Sequence, residues 1–176
     1  DKAESVAVIG GGFIGVEFAE QISLLGKKVT LVEMADACLW QAFDKSYTDE
    51  IENMMKDNNI NVLTNTKVKK ILGTKSVEAL ELENGEKIAA DLVILGLGVR
   101  PNGILAKEAG LDVNAKGAIV VDQYTRTSDP DIFAVGDCAE KKCFFTHKDV
   151  PVLLASTAAM EAKIAGSNAF QLRLIR

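Results

Sequence analysis

The run Gly10-Gly11-Gly12-Phe13-Ile14-Gly15 constrains this chain more than any other feature, because it stands between a β-branched run and a helical pattern. Ser5 to Gly10 reads as a short strand ending at the glycines. Phe13, Ile14, Phe18, Ile22 and Leu25 then recur at helical spacing, and Gly26 is the natural stop. Lys28 to Glu33 reads as the next strand, which predicts a βαβ unit with tight connections. The run satisfies G-x-G-x-x-G in the context where that pattern has a mechanism. Gly10 permits the tight turn, Gly12 lets backbone approach a pyrophosphate, and Gly15 lets helix pack on strand, while N–H groups at the helix start face the anion.

Glu33 closes the second strand 18 positions after Gly15. That is near the spacing of about 20 at which an acidic residue accepts hydrogen bonds from an adenosine ribose. A carboxylate there repels a 2′-phosphate, and the following Met34, Ala35 and Asp36 supply no cation. The expected ligand is therefore a dinucleotide, NAD(H) in preference to NADP(H).

Further along, Asp44 is placed to cap a helix reaching about Asn58, with Ile51, Met54 and Met55 on its inner face. The period then changes to two. Lys67 to Leu72, Ser76 to Leu82 and Lys87 to Ala89 predict an antiparallel meander whose second turn is Asn84-Gly85. Asp91 to Leu95 reads as a strand buried on both faces. Glycines and a proline between Gly96 and Asn102 mark a domain boundary, after which Asn102 is expected to cap a short helix ending at Gly110. Two strands are expected at Ala118 to Val121 and Ile132 to Val135. An irregular stretch from Glu140 to Pro151 precedes an alanine-rich helix from about Ala155 to Phe170.

Composition removes several alternatives. With 48% hydrophobic residues and 3 prolines in 176 residues, the chain has the makings of a folded core. Its longest apolar or glycine run, Leu92 to Val99, is far below the roughly 20 residues of a membrane span. Asp1 to Ser5 is polar and charged, so no secretion signal is expected; the lack of an initiating methionine suggests a piece of a longer protein. A net charge of -5 with scattered basic residues argues against a nucleic-acid partner. Cys38, Cys138 and Cys143 make no disulfide framework and suit a reducing cytoplasm. With His147, the latter two cysteines offer three metal ligands where structural zinc takes four, so no metal is expected.

Four motifs in order, GGGFIGVEFAE, LVEMAD, LGLGVRPN and TSDPDIFAVGDCAE, resemble the pyridine nucleotide-disulfide oxidoreductases. The nearest branch is that of NADH oxidases, NADH peroxidases and coenzyme A disulfide reductases. The resemblance implies an α/β fold class: a Rossmann-like NAD-binding domain with an antiparallel meander over residues 1–99, and the second segment of a split FAD domain over 100–176. The first FAD segment and the interface domain that forms the family's homodimer would lie outside this chain. So would the redox cysteine, which leaves no catalytic residue here.

Carried over by the resemblance, Gly10, Gly12, Phe13, Ile14 and Gly15 form the loop and first turn that hold the dinucleotide. Phe13 matches the aromatic that lies over the flavin until nicotinamide displaces it. Glu17 matches the glutamate near the nicotinamide carboxamide, and Gly98 the glycine whose backbone lines the nicotinamide side. Gly136 and Asp137 match the turn whose carboxylate accepts a hydrogen bond from the FAD ribityl chain. Leu154 and Ala155 match the start of the helix that points at the flavin pyrimidine ring.

The implied reaction carries hydride from NADH to flavin and on to a disulfide, thiol or oxygen acceptor. Cys138 and Cys143 have C-x4-C spacing but stand after the Gly-Asp motif, so they are read as a small residue beside the FAD site and a loop thiol. The rival readings are a non-catalytic NAD-binding redox sensor and a thiol-redox protein working through these two cysteines. Alone, the chain is expected to lack stoichiometric FAD and to self-associate, since strand 132–135 and the last helix would miss their partners.

Overall fold

The computed structural model describes residues 2–150 and 152–174. They form two compact units, Asp1–Gly98 and Val99–Arg176.

The first unit is built on a four-stranded parallel sheet of order β3-β2-β1-β7. Strand β1 (Ser5–Ile9) leads into helix α1 (Phe13–Leu24), then β2 (Lys28–Val32), helix α2 (Lys45–Asp57) and β3 (Ile60–Leu63). Strands β4 (Val68–Leu72), β5 (Ala79–Leu82) and β6 (Lys87–Ala89) form an antiparallel meander before β7 (Leu92–Leu95) returns to the far side of β1. Thus β1 lies between β2 and β7, with Ser5 opposite Lys28 and Val6 opposite Leu92. One apolar cluster, around Val8, Leu31, Met55 and Ile60, joins the sheet to α1 and α2. A second, with Ala7, Val32, Leu80 and Leu82, joins it to the meander. This two-sided burial is why Val6 to Val8 are apolar without alternation.

Two local signals carry through, and a contact at Asp91 adds to them. Gly26 adopts φ +76° and donates its N–H to Ser23 O at 2.8 Å, ending α1 as a left-handed glycine should. Asp44 occupies the cap position of α2, although its carboxylate takes no N–H and its carbonyl instead accepts from Tyr47 and Thr48. Asp91 anchors β7 to β1: one carboxylate oxygen accepts from the N–H of Glu4 and the N–H and hydroxyl of Ser5, at 2.8–3.0 Å. The backbone N–H and the hydroxyl of Ser5, followed by the N–H of Glu4, hold the Asp91 carboxyl below its ordinary range. A depressed carboxyl stabilises the fold above its unfolded value, near pH 4, and that contribution is lost as the pH falls through the folded value. Asp91→Ala is therefore expected to lower the thermal midpoint at neutral pH, with the gap to wild type closing on acidification below about pH 4. An unchanged neutral-pH midpoint would remove Asp91 from this role.

The second unit corrects several expectations. Neither 118–121 nor 132–135 is a strand; each makes only isolated bridges, Ile119 with Val113 and Ala139, and Phe133 with Arg126. A strand needs consecutive partners, and between these bridges the chain turns. Asn114 Oδ1, for example, collects the N–H groups of Lys116 and Ala118. The segments still bury Ile119 and Ala134 in a small core with Ala106 and Ala139. Helix α3 (Ile104–Glu108) is capped at Gly103 rather than Asn102. The stretch expected to be irregular contains a narrow hairpin, with Lys142 bridged to Asp149. Helix α4 runs over Ala155–Leu174, further than expected.

Candidate functional site

A cleft of about 640 Å³ opens at the carboxyl ends of β1, β2 and β7. In a sheet of this order that is the switch point, where β1 connects to one side and β7 arrives from the other. Residues 9–13, 32–34, 39–42, 66–68 and 96–98 line it, together with Ile71.

The glycine loop forms its floor. Gly10 has φ +105°, and a Cβ there would collide with Gly96 O. Gly12 caps α1 with no side-chain bond, and a Cβ on it would meet nothing within 4 Å, so that side of the loop is open. The N–H groups of Gly12, Phe13, Ile14 and Gly15 find no acceptor among the described residues. Four free donors at a helix start form a cradle for an anionic group.

Glu33 faces this loop from the end of β2. One carboxylate oxygen accepts from Gly11 N–H and the other from Ala35 N–H at 2.7 Å. Each oxygen retains a lone pair for a further donor. Among the described residues the only lysine or arginine lining the cleft is Lys67, and its ammonium is held 2.8 Å from a Glu83 carboxylate oxygen.

The cleft thus brings together Gly10, Gly12, Phe13, Glu33 and Gly98, the last with φ +81° and open space beside it. Phe13 is half-exposed and meets Phe43 edge to face, with ring centroids 6.1 Å apart. Ile14 and Glu17 lie exposed on α1 and Gly15 is buried under it, all three outside the cleft lining. In the second unit, the turn Gly136–Cys138 packs on α4, and the exposed Asp137 carboxylate makes no bond among the described residues. Leu154 and Ala155, at the start of α4, are exposed.

Several residues that shape the cleft escaped the motif. Gly11 is one: a Cβ there would fall 2.8 Å from Cys38 Sγ and 3.1 Å from Glu33 Cβ. Leu39 N–H donates to Gly11 O at 2.8 Å, and Cys38 N–H to Glu52 of α2 at 2.9 Å, stapling segment 33–39 onto the loop. Trp40, Thr66 and Ile71 complete the walls. Only Gly96, in Gly96-Leu97-Gly98, gave a readable sign.

The cysteines divide by environment. Burial, then the carboxylates of Glu52 and Glu33, push the Cys38 thiol up to about 12. The Thr146 hydroxyl, then the N–H groups of Thr146 and Phe145, hold the Cys143 thiol below its ordinary value. Alkylation near pH 8 is expected to modify Cys143 while Cys38 stays unmodified in the folded chain, and Thr146→Val should slow Cys143 severalfold. Labelling of Cys38 at a comparable rate, read by peptide mass spectrometry, would contradict these environments. Among the described residues no group of histidine, cysteine and carboxylate side chains is arranged to hold a metal, and no helix is long and apolar enough to cross a membrane.

A parallel sheet with an open glycine loop at its switch point, and an acidic residue closing the neighbouring strand, defines a Rossmann-type α/β unit. The chain belongs to the pyridine nucleotide-disulphide oxidoreductase family, which matches residues 1–164. It is 38% identical over 167 residues to an NAD(P)H coenzyme A polysulfide/persulfide reductase of Pyrococcus horikoshii, covering 95% of this chain and 37% of that protein. Among solved structures it resembles an NAD-dependent persulfide reductase from A. fulgidus, with a TM-score of 0.91 and 38% identity over 95% of this chain and 31% of that one. It also resembles the water-forming NADH oxidase of Lactobacillus brevis bound to NADH, with a TM-score of 0.88 and 33% identity over 96% and 37% of the two chains. The chain thus spans little more than a third of the length of the curated relatives it matches.

Proposed function

We propose that residues 1–99 bind NADH and residues 100–176 supply part of an FAD site, in an FAD-dependent oxidoreductase acting on a disulfide, persulfide, thiol or oxygen acceptor. The observation that carries this reading is the open glycine loop: free N–H groups of Gly12 to Gly15 at a helix start, with the Glu33 carboxylate fixed across from them. The loop donors would hold the pyrophosphate, and the remaining Glu33 lone pairs would accept from the adenosine ribose hydroxyls. Phe13, Glu17 and Gly98 would set the nicotinamide, with Phe13 yielding its place to the ring. Ile14 and Gly15 contribute backbone to the first turn.

In the second unit the free Asp137 carboxylate suits a ribityl hydroxyl. Gly136 shapes its turn, and Leu154 and Ala155 present helix N–H groups where reduced flavin gathers negative charge. When bound, the two cofactors supply hydride donation and acceptance; the protein supplies orientation and electrostatics. A sensor without flavin would leave Asp137 and the start of α4 without a task. The family resemblance supports a homodimer, and the unpaired Cys38, Cys138 and Cys143 support a reducing cytoplasm.

The discriminating experiment is calorimetric titration with NADH and with NADPH. Lys67 is engaged by Glu83, so among the described residues lining the cleft no cation is left unpaired for a 2′-phosphate. NADH is expected to bind about fivefold or more tightly than NADPH. Equal affinities, or tighter NADPH, would overturn the role given to Glu33. Replacing Cys138 and Cys143 by Ser should leave NADH affinity unchanged, since neither lies in the first unit.

A further inference from the structure

The second unit contains an almost enclosed ion pair that the reading above does not use. Lys141, with its side chain 8% exposed, places its ammonium 3.1 Å from a carboxylate oxygen of Glu161 on α4, itself 17% exposed. Charges are seldom withdrawn from water to this extent unless further bonds satisfy them. Here every further bond goes to one turn. The Lys141 ammonium donates to Gly136 O at 2.6 Å and to Ala139 O at 2.9 Å. The same Glu161 oxygen accepts the N–H of Gly136 at 2.8 Å.

Both backbone polar groups of Gly136 are therefore held by one charged pair. Gly136 has φ +74°, the left-handed conformation that reverses the chain immediately before Asp137. A Cβ at Gly136 would lie 3.5 Å from Ala158 Cβ on α4, so the turn sits directly on the helix whose first residues are Leu154 and Ala155. One partner of the pair follows the turn and the other rises from that helix. The pair thereby ties the turn that carries Asp137 to the helix that begins at Ala155.

We propose that Lys141 and Glu161 are positioning residues for FAD, acting through the Gly136 turn to hold Asp137 in register with the amino end of α4. The proposal rests on the reading of Asp137 as a flavin contact. Neither side chain needs to touch the cofactor: the ammonium has three acceptors, and one carboxylate oxygen takes both the ammonium and the Gly136 N–H. A small loosening of a positioned group is enough to cost one to two orders of magnitude in binding or rate.

The test titrates FAD into the protein at its natural length, following quenching of flavin fluorescence, for wild type, Asp137→Ala, Lys141→Met, Lys141→Arg and the double variant Lys141→Met/Glu161→Gln. Lys141→Met leaves the Glu161 charge without its partner and can fail to fold; the double variant removes both charges and keeps the test open. The expected result is FAD affinity weakened about tenfold or more in Lys141→Met and in the double variant, recovery to within about threefold in Lys141→Arg, and unchanged NADH affinity in all. A double variant with a lowered thermal midpoint and wild-type FAD affinity would overturn the proposal, showing the pair to be structural only. If that occurs while Asp137→Ala weakens FAD, the positioning role alone falls. If Asp137→Ala also leaves FAD affinity unchanged, or wild type binds no FAD, the reading beneath it falls as well.

Discussion

Gly10→Ala is expected to abolish measurable dinucleotide binding and to destabilise the first unit by about 3 kcal/mol or more. Two costs combine. The backbone at Gly10 has φ +105°, a conformation that a residue with a Cβ rarely adopts, and the added methyl would enter the space of Gly96 O. Neither strand can move aside easily. Gly10 N–H is bonded to Val32 O and Gly96 N–H to Ile9 O, both at 2.8 Å, so any shift that relieves the clash opens the sheet at its switch point. Gly12→Ala is the matched control: its Cβ would meet nothing within 4 Å. That variant should keep wild-type stability while losing NADH affinity, because under the proposed binding mode the methyl would stand where the pyrophosphate approaches. Thermal unfolding and calorimetry on both variants decide the matter. A Gly10→Ala protein with wild-type midpoint and affinity would refute the tight turn, and an unfolded Gly12→Ala would refute the open face.

Glu33→Ala is expected to narrow the proposed preference for NADH over NADPH by about 1 to 2 kcal/mol, the scale of a charge-assisted hydrogen bond with its relieved repulsion. The structure adds a second consequence. Because the carboxylate also receives the N–H groups of Gly11 and Ala35, its loss frees the glycine loop and the start of segment 33–39 together. Both cofactors should therefore bind more weakly, NADH by the larger factor. Glu33→Gln separates the effects. It is uncharged and retains an acceptor oxygen for one N–H, while its amide nitrogen cannot accept from the other. Parallel titrations in which Glu33→Ala leaves the NADH-to-NADPH ratio untouched would show that the carboxylate organises the loop without reading the ribose.

The elements read correctly from the chain carry their cause within a few residues. The apolar spacing from Phe13 to Leu25, the stop at Gly26 and the Asn84-Gly85 turn are all local patterns. The apolar run after Asp91 does form a strand, but not one buried on both faces: β7 is the edge of the sheet, and Leu92 and Leu95 are exposed. Strand β3 was not legible. Ile60-Asn61-Val62-Leu63 follows directly on α2, and what makes it a strand is its parallel pairing with β2, Val29 opposite Ile60. The opposite failure occurred at 118–121 and 132–135, which have the composition of strands and lack consecutive partners. The site divides in the same way. Gly10, Gly12 and Glu33 stand out by spacing and Phe13 only by the family resemblance, whereas Gly11 matters because of Cys38, and the pairing of Lys67 with Glu83 is visible only in the structure. The Lys141 and Glu161 pair, 20 positions apart on a turn and a helix, had no pattern to reveal it.

By itself, then, the sequence determined where α1 stops and where α2 starts, that a glycine loop joins a strand to a helix, and that a carboxylate closes the next strand. Those properties follow from φ/ψ preferences and side-chain periodicity, which act over one or two turns of chain. The tertiary structure decided which segments find ladder partners, that β7 returns beside β1 to open the cleft, and which charged groups remain free to meet a ligand. Such outcomes depend on hydrogen bonds and packing between residues tens of positions apart, and each must outweigh the conformational entropy lost in bringing them together.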